Sequence, residues 1–307
     1  MTEERRDIDV PTLLTVRGAA EELSEELMER TASPSYVYGI PWGFPKLDMK
    51  TGGIQQEETT VLIARPGVGK SAFAGQVALN VGRWFKSTGS DKVVRIISLE
   101  MGWKRWVQRI ACQVADVPIH KIVSGYASVA EGDKYNVALN DMSKLPIEGV
   151  DVGADVHEIN RFIRHNSKTH EDGKRSNCGL WILDHLGIIQ GGEGKDAFSS
   201  LNHSSTVLRQ LSKEVAPGLL LSQMNRQAEM RDDKRPRTSD IYGSDRVLQD
   251  ARRVIGLYRE DVYMKLGEAE RKEPQPAEVI ILKANNGELG VLDYTFIPAR
   301  LEWVENG

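Results

Sequence analysis

One glycine-rich turn in the sequence is suited to binding phosphate groups. The segment Ala64-Arg65-Pro66-Gly67-Val68-Gly69-Lys70-Ser71 follows an apolar run and opens a helical pattern. A strand, a tight glycine turn and a helix N-terminus together present backbone N–H groups to phosphate oxygens. Lys70 can then reach the β- and γ-phosphates of a nucleotide, and Ser71 can hold Mg²⁺. The strict P-loop pattern has glycine where this chain has Ala64. An ordinary glycine turn is therefore the alternative, and the flanking strand and helix patterns disfavour it.

Three polar residues end or follow apolar runs that are typical of strands. Asp184 ends one run, Glu100 follows a second and Gln223 follows a third. Phosphoryl transfer needs an acid that supports the metal and a group that positions or deprotonates the attacking water. Asp184 stands where a Walker-B acid would sit, Glu100 is expected one strand away, and Gln223 could sense the γ-phosphate. In an open α/β sheet, such strand ends are where ligands bind. The alternative is that these polar residues merely end strands at the surface.

From Gly39 onward, short apolar runs alternate with helical patterns. Runs that are apolar on both faces suit strands of a parallel sheet covered by helices. The predicted strands are Thr59–Ala64, Val93–Leu99, Leu180–Asp184, Leu219–Ser222 and Val254–Tyr258, and the predicted helices cover 71–86, 103–115, 155–166 and 200–215. Two further strand patterns, Glu278–Leu282 and Val291–Ile297, flank Asn285-Asn286-Gly287 and predict a C-terminal β-hairpin.

Residues 1–38 have the pattern of a separate arm. Val16, Ala20, Leu23 and Leu27 recur at helical spacing, and the other faces of this helix are rich in glutamate. A lone amphipathic helix of this length is marginal in water and needs a surface that covers its apolar stripe. It could fold back on its own core or dock on a neighbouring subunit, and both interpretations stay open.

Composition excludes several classes of protein. The chain has 307 residues, of which 40% are hydrophobic and 27% charged, enough for one large domain or two small ones with a buried core. Its apolar runs are far shorter than the roughly 18 residues that span a bilayer, so we expect no membrane segment. The polar N-terminus has no signal-peptide core, and Cys112 and Cys178 are too few for a disulfide framework. We therefore expect a cytoplasmic protein.

The charge of the chain is unevenly distributed. The net charge is −4, but residues 1–38 hold nine acids and four bases, so the remainder is close to neutral. Any basic binding surface must therefore be local. Residues 226–237 hold five bases against three acids. A basic loop without interleaved aromatic residues suits contact with a nucleic-acid backbone more than base reading. The alternative is a solvated charged loop.

These residues, in this order, resemble the RecA-like motor domain of the DnaB-type hexameric replicative helicases, including phage versions. The resemblance covers roughly residues 39–303. Besides the P-loop, it rests on the blocks Gly39-Ile40-Pro41-Trp42-Gly43-Phe44, Ser98-Leu99-Glu100-Met101, Ser222-Gln223-Met224-Asn225-Arg226, Asp233-Lys234-Arg235-Pro236 and Gln249-Asp250-Ala251. The family also has alanine at the position of Ala64, so that departure supports the resemblance.

The resemblance implies ATP hydrolysis between the subunits of a hexameric ring that pulls single-stranded DNA through its channel. It implies that Lys70 and Ser71 take the phosphates and Mg²⁺, and that Glu100 is the base that activates water. It also implies that Asp184 supports the metal, through water, and that Gln223 couples the γ-phosphate to a DNA loop. The nucleotide-binding residues that it implies are Arg65, Pro66, Gly67, Val68, Gly69, Lys70, Ser71 and Arg259.

The resemblance also places two DNA-binding loops, one after Asp184 at Gly191–Lys195 and one after Gln223 at about Arg226–Asp245. The candidate DNA-binding residues are Arg226, Arg231, Lys234, Arg235, Tyr242, Gly243 and Ser244. The family usually has arginine at the position of Tyr242, where a tyrosine could stack on a base instead.

One departure from the family bears on catalysis. The family places an arginine finger, which acts on the neighbouring subunit, in a motif resembling Lys-x-Arg-Asn-Gly. Here Asn285 stands at the arginine position, and such an arginine is typically worth ~10³–10⁵ in turnover. Lys283 could supply the charge alone, another arginine such as Arg300 could substitute, or hydrolysis could be slow.

We therefore expect an arm helix in residues 1–38 and a RecA-like α/β P-loop domain in residues 39–307. The chain would use ATP and Mg²⁺ as the motor of a replicative DNA helicase in a bacterial or phage-infected cell. Its partners would be single-stranded DNA and its own copies, with a primase or loader left open. One alternative is a recombination ATPase that forms filaments. The other is an ATP-binding replication assembly factor of low turnover, which the Asn285 departure favours.

Overall fold

The computed structural model describes residues 15–32, 34–151, 153, 155–165, 177–189, 197–241, 245–264, 274–285 and 287–307. The chain divides into two compact units, residues 1–36 and residues 37–307.

The described residues form helices and strands in alternation. The helices are α1 (Val16–Ala32), α2 (Pro45–Thr51), α3 (Lys70–Ser87), α4 (Trp103–Ala115), α5 (Ile119–Ser124), α6 (Val129–Met142), α7 (Val156–Arg164), α8 (Ala197–Glu214) and α9 (Asp245–Asp250). The strands are β1 (Thr59–Ala64), β2 (Val93–Ser98), β3 (Ile147–Val150), β4 (Cys178–Asp184), β5 (Gly218–Gln223), β6 (Arg253–Tyr258), β7 (Gln275–Ala284), β8 (Gly290–Ile297) and β9 (Glu302–Glu305).

Within the described ranges, all of these strands belong to one sheet, in the order β3-β2-β4-β5-β1-β6-β7-β8-β9. Neighbours from β3 to β6 in that order run parallel, whereas β6, β7, β8 and β9 pair antiparallel. The mostly parallel sheet and the C-terminal hairpin that the sequence predicts are therefore confirmed.

Both faces of the sheet are buried. Since successive side chains of a strand point to opposite faces, each strand contributes to two hydrophobic cores. In β1, Leu62 and Ala64 pack in one hydrophobic core, with side chains of α3 and α4. Val61 and Ile63 pack in a second core, with side chains of α7 and α8. This burial on both faces explains why the sequences of these strands are continuous apolar runs.

An aromatic cluster fixes the start of α3 against the last strand. Phe73 of α3 lies edge-on to Trp303 of β9, with ring centroids 5.8 Å apart. The Trp303 indole N–H donates to the Gly69 carbonyl oxygen at 3.1 Å, just before α3 begins. Gln76 bonds the backbone of Trp303 at both its N–H and its carbonyl. The glycine turn is thus held in place by the C-terminal part of the chain.

The N-terminal unit contains the arm helix that the sequence predicts, as α1. Its predicted apolar stripe is exposed: Leu23 is 63% and Leu27 65% accessible. Arg30 pairs with Glu26 one turn earlier at 3.0 Å, an interaction worth only a few tenths of a kcal/mol on an exposed helix. None of the helices in the described ranges is both long and apolar enough to cross a membrane.

A buried arginine joins the middle of β2 to the end of α7. Arg95 is fully buried, and its guanidinium donates to the carbonyl oxygens of Phe162 and Ile163 at 3.1 and 2.7 Å. It also donates to the Asn177 side chain at 2.8 Å and to Glu148 of β3 at 3.1 Å. Because the cation satisfies several buried acceptors at once, it stabilises the strand that leads to Glu100.

We predict that Arg95→Met destabilises the fold by about 3–5 kcal/mol, because it leaves buried acceptors and a carboxylate without their cation. Urea titration followed by circular dichroism measures the free energy of unfolding. The control is Arg105→Met, which removes an exposed arginine of α4 and should cost less than about 0.5 kcal/mol. Equal effects of the two substitutions would contradict this role for Arg95.

Candidate active site

The carboxyl ends of four parallel strands meet at one edge of the sheet. Ala64, the last residue of β1, lies opposite Gln223, the last residue of β5. Asp184, the last residue of β4, lies opposite Ser98 of β2, and Glu100 follows two residues later. The glycine turn leaves the same edge, directly after Ala64. The structure therefore brings together the residues of the phosphate turn and the three polar strand-end residues.

The glycine turn has the backbone of a phosphate cradle. Gly67 and Gly69 have φ angles of +85° and +106°, which L side chains rarely adopt. A Cβ on Gly69 would lie 3.0 Å from Phe296 and 3.2 Å from Trp303, whereas nothing lies within 4 Å of one on Gly67. Val68 between them is fully buried and anchors the turn. The turn is therefore packed on its inner side and open at Gly67.

The N-terminus of α3 offers further N–H donors. The first backbone bond of this helix runs from the Phe73 N–H to the Gly69 carbonyl at 3.0 Å. The N–H groups of Lys70–Ala72 precede that bond, so they have no partner within the helix. Together with the positive end of the helix dipole, these donors favour an anion.

Lys70 and Asp184 form the buried, charged centre of the site. Lys70 is 7% exposed and Asp184 is 1% exposed. Burial lowers the pKa of Lys70, and the carboxylates of Asp184 and Glu100 oppose that shift. Burial raises the pKa of Asp184, and the Lys70 ammonium and the nearby Ser71 hydroxyl oppose it. Each charge therefore helps to keep the other ionised, although both side chains are buried.

The Asp184 carboxylate fits a role in holding a hydrated cation. Among the described residues, neither of its side-chain oxygens has a hydrogen-bond partner of good geometry, although both are fully buried. Buried carboxylate oxygens are rarely left without partners, and water bound to a divalent cation supplies the donors that they lack. Mg²⁺ keeps several waters and takes few protein oxygens. The Ser71 hydroxyl and the Asp184 carboxylate therefore suit Mg²⁺.

A histidine that the sequence interpretation missed connects Glu100 with Gln223. The Gly187 N–H donates to His185 Nδ1 at 3.1 Å, so the neutral ring carries its proton on Nε2. His185 Nε2 lies 2.9 Å from the Gln223 side-chain amide and 3.8 Å from the Glu100 carboxylate. An Nε2–H donates to Gln223 when the amide turns its oxygen to the ring. Burial, with the Lys70 charge, lowers the pKa of His185, which keeps the ring neutral.

Glu100 differs from its neighbours in its exposure. Its side chain is 52% accessible, whereas that of His185 is 10% accessible. A carboxylate at the rim, beside a buried lysine, can accept a proton from water that reaches the site. The only sequence signal for His185 is that it directly follows Asp184, which is why its role was not predicted.

Two arginines beside the P-loop are engaged within the chain. Arg65 pairs with Glu229, in the loop after β5. Arg259 is 4% exposed, pairs with Asp261 at 2.6 Å and donates to the Val68 carbonyl oxygen at 3.0 Å. In the described conformation, the buried Arg259 therefore stabilises the P-loop through the backbone of Val68.

The basic loop after β5 neutralises part of its own charge. Arg231 donates to both carboxylate oxygens of the buried Asp240, at 2.9 and 2.7 Å. Arg235 donates to both oxygens of Glu278 on β7, at 2.7 and 2.6 Å. The Lys234 ammonium donates to the Arg231 carbonyl at 2.8 Å. Arg231 and Arg235 therefore shape the loop, a function that its net charge did not indicate.

Several predicted DNA contacts cannot be placed. Tyr242, Gly243, Ser244 and the loop Gly191–Lys195 lie outside the described residues, as does the side chain of Arg226.

The residues of the finger motif lie at the opposite edge of the sheet. Lys283, near the end of β7, pairs with Val254 near the start of β6. Its ammonium donates to the carbonyl oxygens of Leu248 and Ala251, at 2.7 Å each. Arg300, the other residue considered for the finger, pairs with Asp116 and with Glu302. In this structure both cations are bound within their own chain.

Residues 39–305 match the family model described as the DnaB-like helicase C terminal domain. The chain is 36% identical over 265 residues to the replicative DNA helicase DnaC of Bacillus subtilis (strain 168), an alignment that covers 85% of this chain and 55% of that protein. It is 34% identical over 264 residues to the replicative DNA helicase DnaB of Geobacillus stearothermophilus, with the same coverage. The chain thus spans about half the length of these curated relatives.

Solved structures give the same likeness. The ATPase domain of a phage helicase superposes with a TM-score of 0.81 at 30% identity, covering 95% of this chain and 99% of that chain. A DnaB-like replicative helicase, described with its interactions with primase, superposes with a TM-score of 0.79 at 28% identity. That match covers 96% of this chain and 68% of the other.

We predict that His185→Phe lowers the turnover of nucleoside triphosphate roughly 10- to 100-fold, because Glu100 and Gln223 lose the group that positions them. The affinity for a fluorescent nucleotide should stay within about twofold, since His185 makes no hydrogen bond to the glycine turn or to Lys70 among the described residues. Steady-state kinetics and nucleotide titration separate these quantities. The control is His120→Phe, at an exposed histidine of α5. A loss of affinity with unchanged turnover would contradict the positioning role.

Proposed function

Because the chain belongs to the DnaB-like helicase C terminal domain family, we propose that it is the ATP-driven motor of a replicative DNA helicase. It would hydrolyse ATP between subunits and translocate on single-stranded DNA, thereby unwinding the duplex. The observation that carries this proposal is the convergence of the glycine turn, Asp184, Glu100 and Gln223 at one edge of the sheet. The replicative helicases among its relatives support it.

Each residue at this edge has a task that follows from its position. The amides of the glycine turn and the Lys70 ammonium would bind the phosphates, since both favour negative charge. The Ser71 hydroxyl and the Asp184 carboxylate would hold Mg²⁺. When bound, Mg²⁺ neutralises charge on the phosphate oxygens during transfer. Lys70 and Asp184 are buried by the protein itself, so the fold preorganises their charges for the reaction.

Glu100 would accept the proton of the attacking water. Its half-exposed carboxylate lies on the solvent side of the buried Lys70–Asp184 pair. His185, whose Nε2 lies 3.8 Å from the Glu100 carboxylate, would limit the positions that this carboxylate can take. Gln223, bonded to the same ring atom, precedes the basic loop directly. A change at Gln223 on loss of the γ-phosphate would therefore reach the loop that we propose contacts DNA.

The loop after β5 would contact the DNA backbone. We propose Arg226, Arg231, Lys234, Arg235, Tyr242, Gly243 and Ser244 as its DNA-binding residues. Arg231 and Arg235 are held by carboxylates, so their main contribution would be the shape of the loop. Lys234 is half-buried, and the exposed Arg237 has its guanidinium 3.9 Å from the Asp233 carboxylate, which leaves these two cations best placed for phosphate.

The ring-forming role would use the arm. The exposed stripe of α1 needs a cover, and a neighbouring subunit could supply it in a hexameric ring. We propose that the protein acts in the cytoplasm of a bacterial or phage-infected cell. The interaction with primase that is described for one similar structure makes primase a candidate partner, with a loader as another.

A second candidate function is an ATP-binding replication assembly factor with slow turnover. Asn285 at the finger position favours it, together with the internal bonds of Lys283. Strong stimulation of ATP hydrolysis by single-stranded DNA would exclude this alternative. A recombination ATPase would form long filaments on DNA, which electron microscopy distinguishes from closed rings.

We predict that two substitutions separate binding from hydrolysis. Lys70→Ala should abolish hydrolysis and weaken nucleotide binding, because it removes the buried cation of the phosphate site. Glu100→Gln should keep nucleotide binding but lower turnover by roughly 10²–10⁴, since the carboxylate that accepts the proton is gone. ATPase assays with and without single-stranded DNA, beside nucleotide titration and a mass measurement of the assembly, test both. An active Glu100→Gln protein would refute its role as base, and unchanged turnover of Lys70→Ala would refute the phosphate site.

We predict that Lys234→Gln with Arg237→Gln flattens the salt dependence of single-strand binding. The log–log slope should fall by roughly 0.7 for each DNA phosphate that the protein no longer neutralises. Fluorescence anisotropy at several salt concentrations measures the slope. Lys92→Gln, at an exposed lysine before β2, is the control and should leave the slope unchanged. If the loop variant and the control behave alike, the DNA site lies elsewhere.

A further inference from the structure

Hydrolysis in P-loop enzymes is accelerated by an arginine that reaches the γ-phosphate from the same chain or from a neighbour. Among the described residues, the arginines beside the P-loop are Arg65 and Arg259, which pair with Glu229 and Asp261. Arg259 is also buried beneath the turn. An arginine that serves this site must therefore be sought on another part of the surface.

Arg252 lies where it can serve only a neighbouring copy. It directly precedes β6, whose first residue Arg253 lies opposite Thr60, near the start of β1. The P-loop leaves the other end of β1. Six residues of strand span about 20 Å, which is farther than an arginine side chain reaches. Arg252 is thus at the opposite edge of the sheet from its own nucleotide site.

Arg252 is exposed and lines a large polar cleft. The cleft has a volume of about 900 Å³, and its lining includes Arg209, Lys213 and Asn285. Within the part of the chain that the structure describes, Arg252 forms no ion pair with a carboxylate. The acid Asp250 in the same lining is occupied by Arg209 and Arg246, at 3.1 Å each.

Asn285 braces Arg252 without neutralising it. In the orientation that satisfies both of its polar atoms, the Asn285 side-chain oxygen accepts from Arg252 Nη1 at 2.7 Å. Its NH₂ group then donates to the Arg252 carbonyl oxygen at 3.2 Å. The Asn285 backbone N–H donates to the same carbonyl at 3.2 Å. A neutral amide fixes the guanidinium and leaves its full charge available, whereas an arginine at 285 would repel it.

Lys283, the cation of the finger motif itself, is not available in the same way. The Lys283 ammonium donates to the carbonyls of Leu248 and Ala251, so it anchors the backbone that leads to Arg252. Burial lowers the pKa of Lys283, and the Arg252 charge lowers it further. Glu57, also in the lining of the cleft, is an exposed acid that a phosphate would have to avoid.

We propose that Arg252, braced by Asn285, is the cation that one copy of this chain directs at the γ-phosphate of a nucleotide bound to the P-loop of the next copy. The inference rests on the proposed function and identifies the residue that completes its site. In such an assembly, the edge of the sheet that carries Arg252 in one copy contacts the edge that carries the P-loop in the next. This contact is heterologous, the arrangement that generates rings. Arg252 would thus supply the charge that the Asn285 departure removes from position 285.

The test compares single variants in ATPase assays with single-stranded DNA present. Arg252→Ala should lower kcat by about 10³-fold or more, with nucleotide affinity and assembly mass unchanged. Arg252→Lys should recover part of the loss. Asn285→Asp should also lower kcat, because a carboxylate would neutralise the guanidinium. The control is Arg161→Ala, at an exposed arginine of α7, which should retain wild-type turnover.

Mixed assemblies test whether Arg252 acts on a neighbour. Lys70→Ala subunits keep Arg252, and Arg252→Ala subunits keep the P-loop. When the two are mixed before assembly, about a quarter of random head-to-tail interfaces combine both intact halves. Turnover should then exceed that of either variant alone, and a mixture no more active than its parts contradicts action in trans.

The outcomes separate this inference from the proposed function. Wild-type protein without DNA-stimulated hydrolysis would overturn the motor itself. Active wild-type protein with an equally active Arg252→Ala variant would overturn only the role of Arg252.

Discussion

The register between parallel strands determines which side chains meet at the active edge. Ala64 lies opposite Gln223, and Asp184 lies opposite Ser98, so the functional residues that follow these strands emerge at one level. A slip of one residue in any pair would turn a side chain to the other face of the sheet. The two-sided hydrophobic burial of β1, β2, β4 and β5 fixes that register. The core of this protein therefore determines its chemistry.

The site at this edge combines a tightly packed, buried part with one solvent-exposed carboxylate. The glycine turn is locked by the buried Val68, by Trp303 and by Arg259 beneath it. Lys70 and Asp184 are buried against it and keep each other charged. Glu100 is half exposed, where water has access. Such a division suits the proposed hydrolysis, because the groups proposed to bind phosphate are preorganised and the group proposed to take a proton reaches solvent.

Much of the fold could be predicted from the sequence, because the buried strands are written as continuous apolar runs and α4 has the predicted bounds 103–115. β3 was missed because it is short and only half-buried, with no alternation strong enough to mark a strand. α6 was missed because Ala138 is its one buried residue among those described. Its capping box, in which Ser128 and Glu131 satisfy each other's backbone N–H groups, was the signal that could have shown where it begins.

The position of Lys70, Asp184 and Glu100 at one edge of the sheet was predictable, because each lies at or just after the end of an apolar strand pattern. The contacts of a side chain were not predictable where its bonding partner is distant in sequence. From the sequence, the loop residues Arg231 and Arg235 were expected to be unpaired cations. In the structure they form ion pairs with Asp240 and Glu278. In the sequence alone, Asn285 indicates that the arginine finger of the family motif is missing. Only the antiparallel pairing of β6 with β7 brings Arg252 beside it.

A crystal structure of the assembled protein with a slowly hydrolysed ATP analogue and Mg²⁺ would show whether a nucleotide occupies the strand-end site. We predict that the triphosphate lies on the amides around Val68, with the metal held by Ser71 and Asp184. Glu100 should lie near the water that faces the γ-phosphate. A triphosphate bound elsewhere, or Asp184 and Glu100 turned away from it, would show that this edge of the sheet is not the hydrolytic site.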